Sequence, residues 1–180
     1  MAAQLYNLPM RNVVYSVAAS LDGYIAGPSG EYDWIPEEPE IDWDGFMSRF
    51  DTVLMGRGTY ELVRAQGSGA SMLETYVFSA TLAEVEDEAI HLVREDAEGV
   101  VKKLRRGKGK EIWLMGGGVL FRSLLEAGLV DRIEVAVVPI LLGGGIPLLP
   151  EGAPRTKLTL VESKRYEESG IVGLTYEVGQ

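Results

Sequence analysis

Twice in this sequence an apolar run passes straight into a helical pattern through glycine: Met55-Gly56-Arg57-Gly58-Thr59 and Met115-Gly116-Gly117-Gly118-Val119. A third apolar run ends at Phe78-Ser79-Ala80-Thr81. Strands that alternate with helices are joined by right-handed crossovers, which makes the strands parallel. The C-terminal ends of parallel strands lie along one edge of the sheet, and ligands bind in the crevice there. The three segments are therefore expected to meet.

The rest of the chain supports that architecture. Arg11 to Ala19 reads as a buried first strand, and residues 20–39, rich in glycine and proline, as a long loop. Trp43, Phe46, Met47 and Phe50 fall at i, i+3, i+4 and i+7, which predicts one helix face with at least three of the four in the core. Ala97, Val100, Val101 and Leu104 predict a second helix, ending in a basic turn whose charges suit the helix dipole. A third runs through Leu120 to Leu125, with Gly128 placed for a Schellman ending. Arg132 to Ile140, Lys157 to Ser163 and Val172 to Val178 read as strands. The last two follow one another without a helix between, so an antiparallel pair closes the sheet. Residues 1–10 read as a tail and 11–180 as one domain, which 180 residues are ample to fill.

Composition excludes several functions. There is no cysteine, hence no disulfide, thiolate metal site or cysteine nucleophile. A lone histidine, His91, reads as a strand or surface residue, and no metal site is expected. A net charge of −10 argues against a nucleic-acid partner. No apolar run has the length of a membrane span, and the N-terminus lacks the pattern of a signal peptide, so the cytoplasm is the expected location.

An anionic ligand would need a local positive spot in so acidic a chain. The junctions supply one. Gly116 to Gly118 remove side chains where a strand meets a helix, so backbone N–H groups can approach a phosphate at the positive helix end. Arg57 offers a fork of donors, Thr59 a hydroxyl in the first helical turn, and Ser79 another donor. The same glycines would equally serve a tight turn. Both the P-loop lysine and the spaced glycines of the dinucleotide fingerprint are absent. A second run, Gly143-Gly144-Gly145, precedes no helix and reads as a turn at a pocket rim or a subunit contact.

Together these segments resemble the dihydrofolate reductase-like superfamily, and within it the bacterial branch that includes the reductase domain of riboflavin biosynthesis. The match is carried by Ser20 to Ala26, Met55 to Glu61, Tyr76 to Ser79, Trp113 to Gly118 and Pro139 to Leu148, in the family's order across residues 11–178. The resemblance implies an α/β three-layer sandwich with a mostly parallel mixed sheet and an antiparallel C-terminal strand. It also implies NADPH as cofactor, with Gly56, Arg57 and Thr59 holding its phosphates and Ser79 near the adenosine phosphate. Gly116, Gly117, Gly118 and Val119 would cover the pyrophosphate, and Ala18 and Ile25 would frame the nicotinamide. Related domains often dimerise, and the apolar stretch Val135 to Leu149 is the expected surface of a homodimer.

On the substrate side the residues leave alternatives open. Asp22 and Asp42 are candidates to orient or protonate a small heterocycle of pterin or aminopyrimidine type; as alternatives, Asp22 is a turn residue and Asp42 a helix N-cap. Trp34 is a candidate to pack against a planar substrate, or equally a core residue. The competing function is a nucleotide-binding or regulatory homo-oligomer with the same fold and no turnover.

Overall fold

The computed structural model describes residues 10–67, 73–85 and 87–179, so the expected N-terminal tail lies, Met10 apart, outside the described residues. The strands are β1 (Val13–Ser20), β2 (Tyr24–Ala26), β3 (Phe50–Gly56), β4 (Glu74–Phe78), β5 (Ile90–Val93), β6 (Glu111–Gly116), β7 (Arg132–Val138), β8 (Ile146–Pro147), β9 (Leu158–Arg165) and β10 (Val172–Val178). The helices are α1 (Trp43–Ser48), α2 (Arg57–Ala65), α3 (Ala97–Arg106) and α4 (Gly118–Glu126). Eight strands form one sheet in the order β5-β4-β3-β6-β1-β7-β10-β9. From β5 to β7 all neighbours are parallel, and β10 runs antiparallel to both β7 and β9. The fold is thus the expected α/β sandwich with a mostly parallel mixed sheet.

Period-two alternation sorts the strand residues between two helix layers. Val13, Tyr15, Leu54, Ile112 and Leu114 pack against Val101 of α3 and Leu120, Phe121 and Leu124 of α4. Tyr15 stacks on Phe121 with ring centroids 3.8 Å apart. Val53, Met55 and Val77 face the other way and pack against Tyr60 of α2. Each fully buried side chain of this size contributes about 1.5–3 kcal/mol. Helix α4 ends as expected. Gly128 takes φ +66°, and the Leu129 amide donates to the Leu124 carbonyl at 2.9 Å.

Two expectations are corrected. The apolar stripe from Trp43 to Phe50 does not form one helix face, because α1 stops at Ser48 and Phe50 opens β3. Strand pairing overrides the helical spacing: the Arg49 carbonyl accepts from the Glu111 amide at 3.2 Å, and Phe50 pairs with Glu111. The Arg49 guanidinium also donates to Glu111 and to Glu134 of β7. Of the four residues only Phe50 is buried, while Trp43 is 59% exposed. Second, the loop over 20–39 contains β2, which pairs with β8. That ribbon needs the second glycine run, since a Cβ on Gly145 would lie 2.2 Å from the Ala26 carbonyl oxygen.

No helix among the described residues is long and apolar enough to cross a membrane.

Candidate active site

The three junctions meet at the C-terminal edge of the sheet. Strands β3 and β6 are paired neighbours, so the N-termini of α2 and α4 emerge side by side. A Cβ on Gly56 would stand 3.7 Å from the Gly117 nitrogen. The Thr59 hydroxyl oxygen would lie 3.5 and 3.7 Å from Cβ atoms added to Gly116 and Gly117. Neither helix has a side-chain N-cap, because Gly56 and Gly117 occupy the cap positions. Their first-turn N–H groups therefore keep donor capacity, and two positive helix ends converge on one small space.

Around that space stand the other expected residues. Arg57, half exposed, donates from Nε to Glu61 at 2.7 Å and from Nη1 to the Thr81 hydroxyl at 3.1 Å. Ser79 Oγ accepts from the Thr81 and Leu82 amides at 3.2 and 2.9 Å, which folds the β4 exit beside Arg57. Val119 in the first turn of α4 is 77% exposed. Gly118 has a different surrounding. A Cβ there would meet the Pro147 carbonyl oxygen at 2.7 Å, so this glycine admits the 147–150 segment. Ile25 on β2 packs against the core from the ribbon side.

The substrate candidates disperse. The Asp22 carboxylate accepts from the Ser20 hydroxyl at 2.6 Å and from the Leu142 and Gly143 amides at 3.1 and 2.7 Å. These bonds, Ser20 foremost, hold its carboxyl below the usual range. Asp22 thus ties the β1 exit to the second glycine run. Asp42 caps α1 by accepting from the Gly45 amide at 2.8 Å, and it also lines a cavity. Trp34 donates its Nε1 to the Glu31 carbonyl within its own loop and is not among the residues lining that cavity.

The cavity, roughly 1570 Å³, lies between β1, β7, β9 and β10 of the sheet, the segment 35–42 and α1. Ala18 is on its wall. So are Trp43, Phe46 and Trp113, which contact edge to face in sequence at 5.9 and 5.2 Å. Trp43, hidden from sequence reasoning by its place in an apolar stripe, presents its ring here. Glu38 is a second residue not anticipated. It is 5% exposed, its Oε1 accepts from the Glu40 amide, and its buried Oε2 has no hydrogen bond of good geometry. Ser169 beside it, then the Glu40 amide and the charge of Lys164, hold this carboxyl below the usual range.

Over residues 11–172 the chain matches the family described as the RibD C-terminal domain. The Bacillus subtilis protein YyaP, itself uncharacterized, is 31% identical over 183 residues, spanning 94% of this chain and 96% of YyaP. A Shewanella sp. PV-4 crystal structure, provisionally ascribed to riboflavin biosynthesis, superposes with a TM-score of 0.81 at 29% identity, covering 95% of this chain and all of that one. The Thermotoga maritima diaminohydroxyphosphoribosylaminopyrimidine deaminase/5-amino-6-(5-phosphoribosylamino)uracil reductase shares the fold at a TM-score of 0.70 and 16% identity. The match covers 94% of this chain and 57% of that one. Dihydrofolate reductase of Enterococcus faecalis, complexed with NADP(H), shares it at 0.69 and 17%, covering 94% and 97%. On the family match and the close relative together, this chain belongs to the RibD C-terminal domain family.

Proposed function

We propose that this chain is an NADPH-dependent reductase of a small heterocyclic substrate of pterin or aminopyrimidine type. The observation that carries the reading is the pair of uncapped helix N-termini meeting at Gly56 and Gly117, with Arg57, Thr59 and Ser79 around them. The space beside Gly117 suits a pyrophosphate, since a Cβ there would find only the Thr59 hydroxyl at 3.7 Å. Arg57 would exchange its exposed Glu61 partner for a phosphate, and the amides of the first turns of α2 and α4 would donate to the remaining oxygens. Bound there, NADPH supplies the hydride.

The protein's own work is placement. Ala18, on the wall of the aromatic cavity, and the β2–β8 ribbon would frame the nicotinamide. Asp42, at the cavity wall, is the better placed of the two aspartates to meet a substrate N–H, because Asp22 is committed to the turn over 141–143. A panel of pterins, aminopyrimidines and cyclic imines, followed at the NADPH absorbance band, tests the activity. Oxidation that depends on both protein and substrate is the expected result; none with any member removes the reductase reading in favour of a binding module.

A homodimer belongs to the same proposal. Val135 and Val138 are buried inside β7, so the exposed apolar surface is narrower than the sequence stretch suggested. It comprises Leu141, Ile146 and Leu149 together with Leu158, Leu160 and Val161 on the edge strand β9. An edge strand with apolar side chains favours pairing. Light scattering should return about twice 19.7 kDa, and a monomer mass at micromolar concentration would refute the dimer.

A further inference from the structure

Charge, as well as shape, distinguishes the cavity beside Trp43. Eight carboxylates and three cations line it. Two of those cations are already occupied. Arg49 donates from Nε and Nη2 to Glu111 and from Nη1 and Nη2 to Glu134, while its guanidinium carbon lies 5.0 Å from the Phe50 ring centroid. Arg132 donates from Nη1 to Glu111 at 3.1 Å. The third, Lys164, lies 4.3 Å from the Tyr166 ring centroid, with the buried carboxylate of Glu38 within reach of its charge.

A phosphate ester is favoured by an excess of cations, and this wall sets eight carboxylates against three cations, two of them already ion-paired. A phosphate drawing on Arg49 would take it from Glu134 and leave that carboxylate beside a new dianion, and one seated anywhere on the wall would face the other carboxylates. The same wall does offer an aromatic face. Trp43, on the cavity wall, is 59% exposed and packs on Phe46, which packs in turn on Trp113.

We propose that the cavity selects a planar, phosphate-free substrate, neutral or cationic, that stacks on Trp43. The inference rests on the reductase reading, since it names the substrate class of that reaction. It separates this chain from the Thermotoga reductase, whose name specifies a phosphoribosylamino substrate.

Riboflavin and flavin mononucleotide share one planar ring and differ by a terminal phosphate, so the ratio of their affinities reads the phosphate alone. Titrated into the full-length protein and followed by flavin fluorescence, riboflavin should bind roughly tenfold more tightly or better. Trp43→Ala should weaken riboflavin about tenfold and leave NADPH affinity unchanged. Glu134→Gln, which releases part of the Arg49 fork, should narrow the riboflavin preference about threefold or more. Flavin mononucleotide binding as tightly as riboflavin, binding of neither flavin, or riboflavin affinity untouched by Trp43→Ala would each overturn the proposal. NADPH titrated in parallel separates the two levels. Failure of the wild type to bind NADPH would break the reductase reading, whereas normal NADPH binding with flavin mononucleotide preferred would break only the substrate inference.

Discussion

The two edges of the parallel sheet use arginine in opposite ways. At the N-terminal edge Arg11 and Arg105 are each only 8% exposed. Arg11 donates to Asp51, to the Thr52 hydroxyl at 2.8 Å and to the Lys110 carbonyl at 2.6 Å. Arg105 pairs with Asp131 at 2.6 Å, and the other oxygen of Asp131 accepts from the Val13 amide. These charges are consumed in joining α3, β1, β3 and β7. At the C-terminal edge Arg57 is half exposed, its partners are a surface carboxylate and a hydroxyl, and the helix ends beside it carry no caps. Partner and solvent access, more than residue type, decide whether an arginine is locked into the fold or left accessible at its edge.

That contrast is sharpest for substitutions that treat the two edges alike. Arg105→Ala leaves Asp131 uncompensated and should cost about 3–5 kcal/mol of stability by denaturant unfolding, with NADPH affinity of the folded fraction unchanged. Arg57→Ala should do the reverse, weakening NADPH by about 1.5–3 kcal/mol in a fluorescence titration. Its stability should move by no more than about 0.5 kcal/mol, the worth of an exposed i,i+4 pair. Equal effects of the two substitutions on stability would erase the distinction between the edges.

A smaller effect separates the two aspartates. Asp42→Asn should lower turnover on any accepted substrate while NADPH affinity holds, with about 1 kcal/mol or less lost from the α1 cap. Asp22→Asn should leave turnover intact and alter acid stability instead. Because the Asp22 carboxyl is held below its usual range by Ser20 and the 142–143 amides, its contribution is present above the ordinary carboxylate pKa and fades as pH falls through the lowered one. The variant's unfolding should therefore lose that part of its pH dependence. Steady-state kinetics beside acid unfolding would show the reverse assignment if Asp22 faces the substrate.

Much of this was legible locally. The junctions around Gly56 and Gly116 announce themselves because a strand, a glycine and a helix period adjoin within a few residues, and parallel pairing then carries them to one edge. The Schellman end at Gly128 is equally local. The cavity beside Trp43 was not legible, because distant residues shape it. Helix α1 stops at Ser48, where Phe50 enters pairing with β6 and Arg49 bonds to partners 62 and 85 residues away. The lowered carboxyl pKa of Glu38 likewise draws on Ser169 and Lys164, far along the chain. Spacing places at least three of Trp43, Phe46, Met47 and Phe50 in the core, whereas only Phe50 is buried.

The central claim is that the bare glycine edge receives the cofactor, and Gly117→Val tests it most directly. Gly117 takes φ −90°, which valine adopts, and an added Cβ would meet only the Thr59 hydroxyl, so the fold should survive. Titration of NADPH into wild type and variant, with circular dichroism of both, should show binding abolished and secondary structure retained. Unimpaired NADPH binding by the folded variant would contradict the account and leave these glycines to the turn alone.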